Sequence, residues 1–183
     1  LSSALSLEQR QSLQRKLVHY TLQTCRQMDG ELEIWTYPFS DSWLEDTANA
    51  SSATLHDQLG DDLGERMLNA LNHATTTGHA AILMGTDCPD ISRDMLEETS
   101  TLLSCSPASV VFIPAIDGGF ALIAAASPLP ANTFKDVAWG EGLALNQTLK
   151  NLRELHRPYS LLAPLADIDR PEDLCLLPPH LRP

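Results

Sequence analysis

Basic residues are scarce in this sequence. Twelve lysines and arginines stand against 24 aspartates and glutamates in 183 residues, which gives a formal net charge of −12 at pH 7. Proteins that bind the nucleic-acid backbone present clustered Lys and Arg, so this composition argues against a nucleic-acid partner. An acidic protein that handles an anionic nucleotide would have to neutralise the phosphates locally, with a metal ion and a few cations.

The residues that usually bind zinc are scattered. The four cysteines form no C-x-x-C pair, which argues against a zinc site or a disulfide framework and favours a reducing compartment. These cysteines are Cys25, Cys88, Cys105 and Cys175. The histidines show no metal-ligand spacing either. We predict no role for His19, His56, His73, His79, His156 or His180.

Long apolar runs are also lacking. No run approaches the roughly 20 residues that a membrane-spanning helix requires. The first residues are polar, and their apolar positions are spaced as in a helix, which is not typical of a signal peptide. We therefore expect a cytoplasmic protein with no membrane partner.

Helical and strand-like segments alternate along the chain. A composition that is 43% hydrophobic over 183 residues is sufficient for one domain with a substantial core. Helices are predicted from Ser6 to a C-cap at Gly30, from 62 to before Gly78, over 93–104 and 143–155, and after Pro171. Strands are predicted over 31–37, 80–84, 108–114, 120–126 and 159–163, with a loop or short helix over 38–52. This order predicts a single three-layer α/β domain.

The most informative stretch is residues 80–92. Its apolar run, 80–84, predicts a strand buried on both faces, as in a parallel sheet. Asp87 and Asp90 follow in a turn that contains Pro89, and Ser92 is placed to cap the next helix. Open α/β sheets bind ligands at the carboxyl ends of their strands, where hard oxygen ligands suit Mg²⁺ or Mn²⁺ carrying a phosphate. The alternative is an ordinary capped turn with solvated acids.

Four blocks, in this order, carry a family resemblance. They are residues 62–67 (DLGERM), 85–91 (GTDCPDI), 117–122 (DGGFAL) and 167–174 (DIDRPEDL). Together they resemble a bacterial family of transferases of unknown function, of the selenodomain-associated or glycosyltransferase-A-like type. That family looks related to nucleotide-diphospho-sugar transferases and to 2-phospho-L-lactate guanylyltransferase. The resemblance covers nearly the whole chain. It implies a Rossmann-like GT-A fold with a mostly parallel mixed sheet, and a divalent metal at the aspartates.

One departure from the family pattern is large. Family members usually begin with an apolar strand and a basic loop of the type K-x-P-x-P-G-x-V-K-T-R-L, which would lie against the nucleotide phosphates. This sequence begins at Leu1, just after the position of that loop. We therefore expect the domain, residues 1–183, to be incomplete at its N-terminus, with the first strand missing and a neighbouring strand edge unpaired.

The metal ligands that we predict are Asp87 and Asp169. A metal ion that bridges two phosphates is usually held by one or two carboxylates, so this pair is chemically sufficient for Mg²⁺ or Mn²⁺. Asp167 lies beside Asp169 and could assist. The alternatives are that Asp90 caps the helix that follows it and that Asp169 caps the terminal helix through Pro171.

Further residues are predicted to contact the substrates. Asp87 and Asp117 are the catalytic candidates, and the candidates for donor or acceptor binding are Gly64, Arg66, Asp90, Gly118, Gly119 and Trp139. Each has a structural alternative. The Gly-Gly pair is also an ordinary hairpin turn, Trp139 could pack on the core, and Arg66 could pair with nearby acids.

These observations lead to one preferred function and two alternatives. The preferred function is a metal-dependent transferase that uses a nucleotide or nucleotide-sugar donor and a small-molecule acceptor, with glycosyl transfer favoured. The first alternative is a nucleotidyltransferase of the guanylyltransferase type, which needs a Lys or Arg near the α-phosphate. The second is a non-catalytic binding scaffold that lacks the phosphate loop. The sequence makes no prediction about the oligomeric state.

Overall fold

Helices and strands alternate along most of the structure, a computed structural model that describes residues 1, 4–38 and 40–182. Helices α1 to α5 span Leu7–Cys25, Ser42–Ser51, Leu63–Thr76, Arg93–Cys105 and Ala144–Glu154. Strands β1 to β6 span Glu33–Thr36, Thr54–Asp57, Ala81–Met84, Val110–Pro114, Phe120–Ala125 and Tyr159–Leu161. Short 3₁₀ helices cover Ala131–Phe134 and Pro171–Leu176. In the described part of the chain, no helix combines the length and the apolar character needed to cross a bilayer.

Local capping explains where the helices begin. At the start of α1, the Gln9 amide donates to Ser6 Oγ (3.2 Å) and the Ser6 amide donates to Gln9 Oε1 (2.9 Å), a reciprocal capping box. Asp62 caps α3 by accepting a hydrogen bond from the Glu65 amide (2.8 Å). The predicted end of the first helix at Gly30 is wrong. Helix α1 ends at Cys25, and Gly30, at φ +145°, lies in the turn that leads to β1.

The main sheet has four strands in the order β3-β5-β4-β6. Strand β5 is antiparallel to both of its neighbours, whereas β4 and β6 are parallel, so β3, β4 and β6 run in one direction. Strands β1 and β2 form a separate parallel pair. This arrangement confirms the predicted α/β class with a mixed sheet. Strand β2 was not predicted from the sequence, because its four residues alternate too briefly to be distinguished from a loop.

Burial is concentrated in the middle of the four-stranded sheet. All four residues from Val110 to Ile113 are fully buried, in β4. Strand β3 is only half-buried because it lies at an edge, so the prediction that it is buried on both faces is wrong. Residues of β1 and β3 line one open groove with a volume of about 1890 Å³. The predicted strand upstream of Leu1 stays a prediction.

Helices cover both faces of the four-stranded sheet. On one face, Phe112 and Ile123 pack against Leu71 of α3 and Leu152 of α5. On the other face, the alternate strand residues pack against α4; the buried members of this cluster include Val111, Ile113, Leu122, Leu96 and Leu103. Helix α1 packs instead against the C-terminal segment through Leu13 and Leu17. The layered arrangement leaves the turns at the strand ends free to carry a site.

Candidate functional site

Three carboxylates from two segments of the chain meet at the end of the four-stranded sheet. Asp117 lies in the turn between β4 and β5, and Asp167 and Asp169 follow β6. One carboxylate oxygen from each residue lies within 4.8 Å of the other two. Asp117 and Asp169 are exposed, whereas Asp167 is half-buried. We call these three residues the acid cluster.

Backbone hydrogen bonds hold these segments together. The Leu165 amide donates to the Pro114 carbonyl and the Ile116 amide donates to the Leu165 carbonyl (2.9 Å each), which extends the pairing beyond the end of β4. The Ile168 amide donates to the Asp87 carbonyl (3.0 Å). The segment that carries Asp167 and Asp169 is therefore fixed between the β4 end and the turn after β3.

The electrostatic environment shows that Asp87 lies near the acid cluster. Burial raises the pKa of the Asp87 carboxyl, a backbone hydrogen bond lowers it, and the charges of Asp169 and Asp117 raise it. Burial likewise raises the pKa of Asp167; a backbone hydrogen bond opposes this, and Asp117, Asp169 and Asp87 add to the increase. These four acids therefore repel one another in the ion-free protein.

The acid cluster has the chemistry that a hard divalent cation requires. Carboxylate oxygens are the ligands that Mg²⁺ and Mn²⁺ prefer. A cation would relieve the repulsion that adds to the effect of burial in raising the pKa of Asp87 and of Asp167. Asp117, Asp167 and Asp169 are the residues that could hold the ion. The predicted ligand Asp169 is one of them, whereas Asp87 lies beside the three and not among them.

The turn that presents Asp117 is shaped by its glycines. Asp117 Oδ1 accepts a hydrogen bond from the Gly119 amide (2.8 Å). Gly118 has φ +94°, and a Cβ atom there would lie 2.1 Å from the Gly142 carbonyl oxygen. The hairpin interpretation is confirmed, because β4 and β5 pair on either side of this turn. The space next to Gly118 is filled by Gly142, so a ligand contact at Gly118 or Gly119 stays a prediction.

Three other residues that were predicted to contact the substrates pack against residues of the protein. A Cβ atom at Gly64 would lie 2.7 Å from Phe134 Cβ and 3.1 Å from Trp139 Cζ2, so this glycine allows α3 to pack closely there. Trp139 packs against Phe134 in an aromatic cluster, in agreement with the alternative that it packs on the core. Among the described residues, its buried Nε1 has no hydrogen-bond partner. The Arg66 guanidinium lies 3.5 Å from the Tyr37 ring centre, and its Nε donates to the Gly60 carbonyl (3.1 Å). Their predicted substrate contacts stay predictions.

The capping alternatives for Asp90 and Asp169 are not what the structure shows. Ser92, as predicted, caps α4 by accepting a hydrogen bond from the Met95 amide (3.4 Å). Asp90 is exposed and lines a small depression between α1 and the start of α4. At the terminal 3₁₀ helix, the Asp173 carboxylate accepts from the amides of Asp169 and Arg170 (3.1 and 2.6 Å). The Asp169 side chain is therefore not needed as the cap.

Two glycines that shape the site, Gly85 and Gly142, were not predicted to do so. Gly85 has no side chain at a place where a Cβ atom would lie 2.5 Å from Asp87 Oδ1, so it makes room for that carboxylate. Gly142 comes from a distant loop and supports the Asp117 turn. The position of Gly85, directly after an apolar strand, was a sequence feature from which its role could have been predicted. No neighbouring residue indicates the role of Gly142, because the residue that it contacts, Gly118, lies 24 positions earlier in the chain.

The buried thiol next to Asp87 has a structural role. Cys88 Sγ donates to the Ala166 carbonyl (3.4 Å), which adds a link between the two segments of the site. Burial, followed by the negative charges of Asp87, Asp167, Asp90 and Asp117, raises the pKa of Cys88 to about 12. A thiol with so high a pKa is not a nucleophile near neutral pH.

Comparison with protein families supplies the context for this site. The bacterial family described as "Uncharacterized protein conserved in bacteria (DUF2064)" matches residues 21–141, about two thirds of the chain. The chain belongs to this family. The DUF2064 match includes Asp87 and Asp117 and ends before Asp167 and Asp169. No curated protein matches the chain.

Solved structures confirm the fold. The chain is similar to the crystal structure named "putative nucleotide-diphospho-sugar transferase" from Desulfovibrio desulfuricans G20, with 25% identity and a TM-score of 0.82 over 92% of this chain and 74% of that one. The 2-C-methyl-D-erythritol 4-phosphate cytidylyltransferase from Thermus thermophilus gives 15% identity and 0.55, over 87% and 86%. CMP:2-keto-3-deoxy-manno-octonic acid synthetase, solved with CTP, gives 12% and 0.52, over 87% and 84%. This DUF2064 protein therefore has the predicted Rossmann-like nucleotide-diphospho-sugar transferase fold.

Proposed function

We propose that this protein is a divalent-metal-dependent transferase that uses a nucleotide or nucleotide-sugar donor, with transfer of a sugar favoured. The observation that carries the proposal is the acid cluster. Asp117, Asp167 and Asp169 offer three carboxylate oxygens within 4.8 Å of one another at the end of a sheet, with Asp87 beside them. Among the described residues, no Lys, Arg or His side chain forms an ion pair with these four acids, so their mutual approach is costly, and a bound cation that carries a diphosphate would relieve the cost.

The four acids divide into two roles. Asp117, Asp167 and Asp169 would hold Mg²⁺ or Mn²⁺, which offsets negative charge on the phosphates of the donor. Asp87 has a raised pKa and lies next to that site, so it is the carboxylate best suited to accept the proton of an acceptor hydroxyl. In that transfer the bond between sugar carbon and phosphate oxygen breaks, the acceptor oxygen bonds to the carbon, and a nucleoside diphosphate leaves.

Support for the donor class comes from the comparisons. The similarity to the protein from Desulfovibrio desulfuricans G20, whose name refers to a nucleotide-diphospho-sugar, extends over 92% of this chain. The two nucleotide-named structures at 15% and 12% identity share the fold alone. Nucleotidyl transfer stays the alternative activity, and the two reactions release different products. Sugar transfer from a nucleoside diphosphate donor releases the nucleoside diphosphate, whereas nucleotidyl transfer from a triphosphate releases pyrophosphate.

The test measures metal binding and product release together. Mn²⁺ binding is followed by calorimetry, and the protein is then incubated with nucleoside triphosphates and with UDP-, GDP-, ADP-, CDP- and TDP-sugars in Mn²⁺. We expect Asp169→Asn and Asp117→Asn to weaken Mn²⁺ binding by roughly 100-fold or more, because each removes a charged ligand. Nucleoside diphosphate released from a nucleotide-sugar would support the sugar transferase, and pyrophosphate released from a triphosphate would support the alternative.

A matched control separates the cluster from general acidity. Asp46 is an exposed aspartate on α2, a helix that contributes no residue to the acid cluster, so Asp46→Asn makes the same change of charge and should leave Mn²⁺ binding within twofold. If Asp46→Asn and Asp169→Asn weaken binding equally, the proposed site is wrong. Mn²⁺ binding at the cluster without binding of any nucleotide at millimolar concentration would favour the non-catalytic scaffold.

A further inference from the structure

A second group of possible metal ligands lies on the two-stranded sheet, apart from the acid cluster. Glu33 of β1, His56 of β2 and His73 of α3 place one ligand atom each within 4.8 Å of one another. Glu33 Oε1 lies 3.7 Å from His56 Nε2 and 3.7 Å from His73 Nε2. One carboxylate oxygen therefore faces two imidazole nitrogens that come from two different elements.

Within the described residues, this arrangement leaves a polar atom unsatisfied. His56 Nε2 is buried and has no hydrogen-bond partner, because its distance of 3.7 Å from Glu33 Oε1 is too long for a hydrogen bond. A buried nitrogen without a partner destabilises the folded chain, because it has lost its hydrogen bond to water and gained none in return. The His56 Nε2 atom therefore lies close to a carboxylate oxygen and to a second imidazole, a set of neighbours that a metal ion could bridge.

Trp35 orients the other side of the group. Its Nε1 donates to Glu33 Oε2 (2.9 Å), which leaves Oε1 to face the two histidines. The Trp35 ring also stacks on the His56 ring, with centroids 4.6 Å apart and planes 18° apart. Metal sites commonly have such outer contacts, which fix the orientation of the ligands that touch the ion.

The ligand types and distances select the class of metal. Two imidazoles and one carboxylate are a common set for Zn²⁺, whereas Mg²⁺ prefers oxygen alone. Ligands that lie about 2.0–2.1 Å from a tetrahedral Zn²⁺ are about 3.4 Å from one another. The two separations of 3.7 Å in the structure are close to this value, so small side-chain movements would close the site.

We propose that Glu33, His56 and His73 bind one divalent transition-metal ion of the Zn²⁺ class, with a fourth position left for water. Such an ion would join β1, β2 and α3. In the described part of the chain the β1-β2 pair shares no strand pairing with the four-stranded sheet, so this link would tie the smaller sheet to a helix that packs on the larger one.

The test is Zn²⁺ affinity measured by competition with a colorimetric chelator, on protein first stripped of metal. Millimolar Mg²⁺ is present throughout, so that hard oxygen sites do not contribute. We expect one Zn²⁺ per chain, and an affinity lowered at least about 100-fold in His56→Gln and His73→Gln. His73 is about half exposed (51%), so its replacement should leave the fold intact, which circular dichroism checks. Trp35→Phe should lower the affinity by about tenfold, because it removes only the orienting hydrogen bond.

The control is another histidine of the same region. His79 is exposed and follows the end of α3, outside the three-residue group, so His79→Gln should leave Zn²⁺ affinity within twofold. Co²⁺ provides an independent signal, since its visible absorption in the wild type should show nitrogen ligation that His73→Gln removes. The proposal is overturned if His56→Gln and His73→Gln bind Zn²⁺ as tightly as the wild type, or if Mg²⁺ displaces Zn²⁺. Asp169→Asn should not alter these results, so this test and that of the acid cluster fail separately.

Discussion

The two groups of possible metal ligands are built in opposite ways. The acid cluster stands on turns at strand ends and contains only carboxylates. Burial raises the pKa of Asp167 in the cluster and of Asp87 beside it, and the neighbouring negative charges add to both increases. Glu33, His56 and His73 stand on regular strands and a helix and combine one acid with two imidazoles. The acid cluster therefore depends on backbone packing that holds like charges together, whereas the histidine group depends on side-chain orientation. This contrast predicts which substitutions the acid cluster and the histidine group will each tolerate.

The largest expected effect concerns the packed turn of the acid cluster. Gly118→Ala should destabilise the protein by at least about 3 kcal/mol, because a Cβ atom would lie 2.1 Å from the Gly142 carbonyl oxygen at φ +94°. Gly78, near the end of α3, has a similar φ of +90° but no atom within 4 Å of a Cβ. Gly78→Ala should therefore cost only about 1–2 kcal/mol of conformational strain. Urea unfolding of both variants checks this, and equal losses would show that the contact with Gly142 is unimportant.

The second effect is metal-dependent stability. Zn²⁺ at about 100 times its Kd should raise the free energy of unfolding by about 2.7 kcal/mol, or the Tm by roughly 5–10 °C, since it binds the folded chain. His73→Gln should abolish this increase and Asp169→Asn should retain it. Thermal unfolding with and without Zn²⁺ gives the answer. If the increase in Tm persists in His73→Gln and disappears in Asp169→Asn, Zn²⁺ binds at the acid cluster and not at the histidine group.

The smallest effect is the pH dependence of the metal-free protein. Because the pKa of Asp87 is raised in the folded state, the folded chain binds its proton more tightly than the unfolded chain, and this favours folding at low pH. The benefit is complete below the unfolded pKa of about 3.9 and is lost as pH rises through the higher folded pKa. Asp87→Asn should therefore raise the Tm by a few degrees at pH 7, where 1 kcal/mol corresponds to about 2–4 °C, and by less at pH 4.

Asp46→Asn serves as the control for this prediction too, since it removes an exposed acid outside the cluster. We expect its Tm difference from the wild type to be small and to show no comparable change between pH 4 and pH 7. A stabilisation by Asp87→Asn that is equal at both pH values would mean that relief of charge is not its cause.

The candidate site was predictable in part. Asp169 was predicted to be a metal ligand because it lies in a strand-end motif, and it is one of the three clustered acids. Its role as a ligand stays a prediction. Asp117 was predicted to be a catalytic residue in contact with the substrates, and Asp87 was predicted to be both a catalytic residue and a metal ligand. The structure places Asp117 inside the cluster and Asp87 beside it, because the register at the end of β4 decides which carboxylates meet. A motif fixes the approximate end of a strand, and it does not fix the direction of each side chain.

Sequence by itself determined the features that depend on neighbouring residues. The caps at Ser6 and Ser92, the helix after Asp62 and the hairpin around Gly118 follow from local hydrogen bonds and backbone freedom, which a short stretch of chain contains in full. Only the tertiary structure decided which distant side chains meet. His56 and His73 show no metal-ligand spacing, and they face Glu33 because β1 and β2 pair in one register and α3 brings His73 against them. Ligand distances are set by packing between elements, and one-dimensional spacing does not encode that packing.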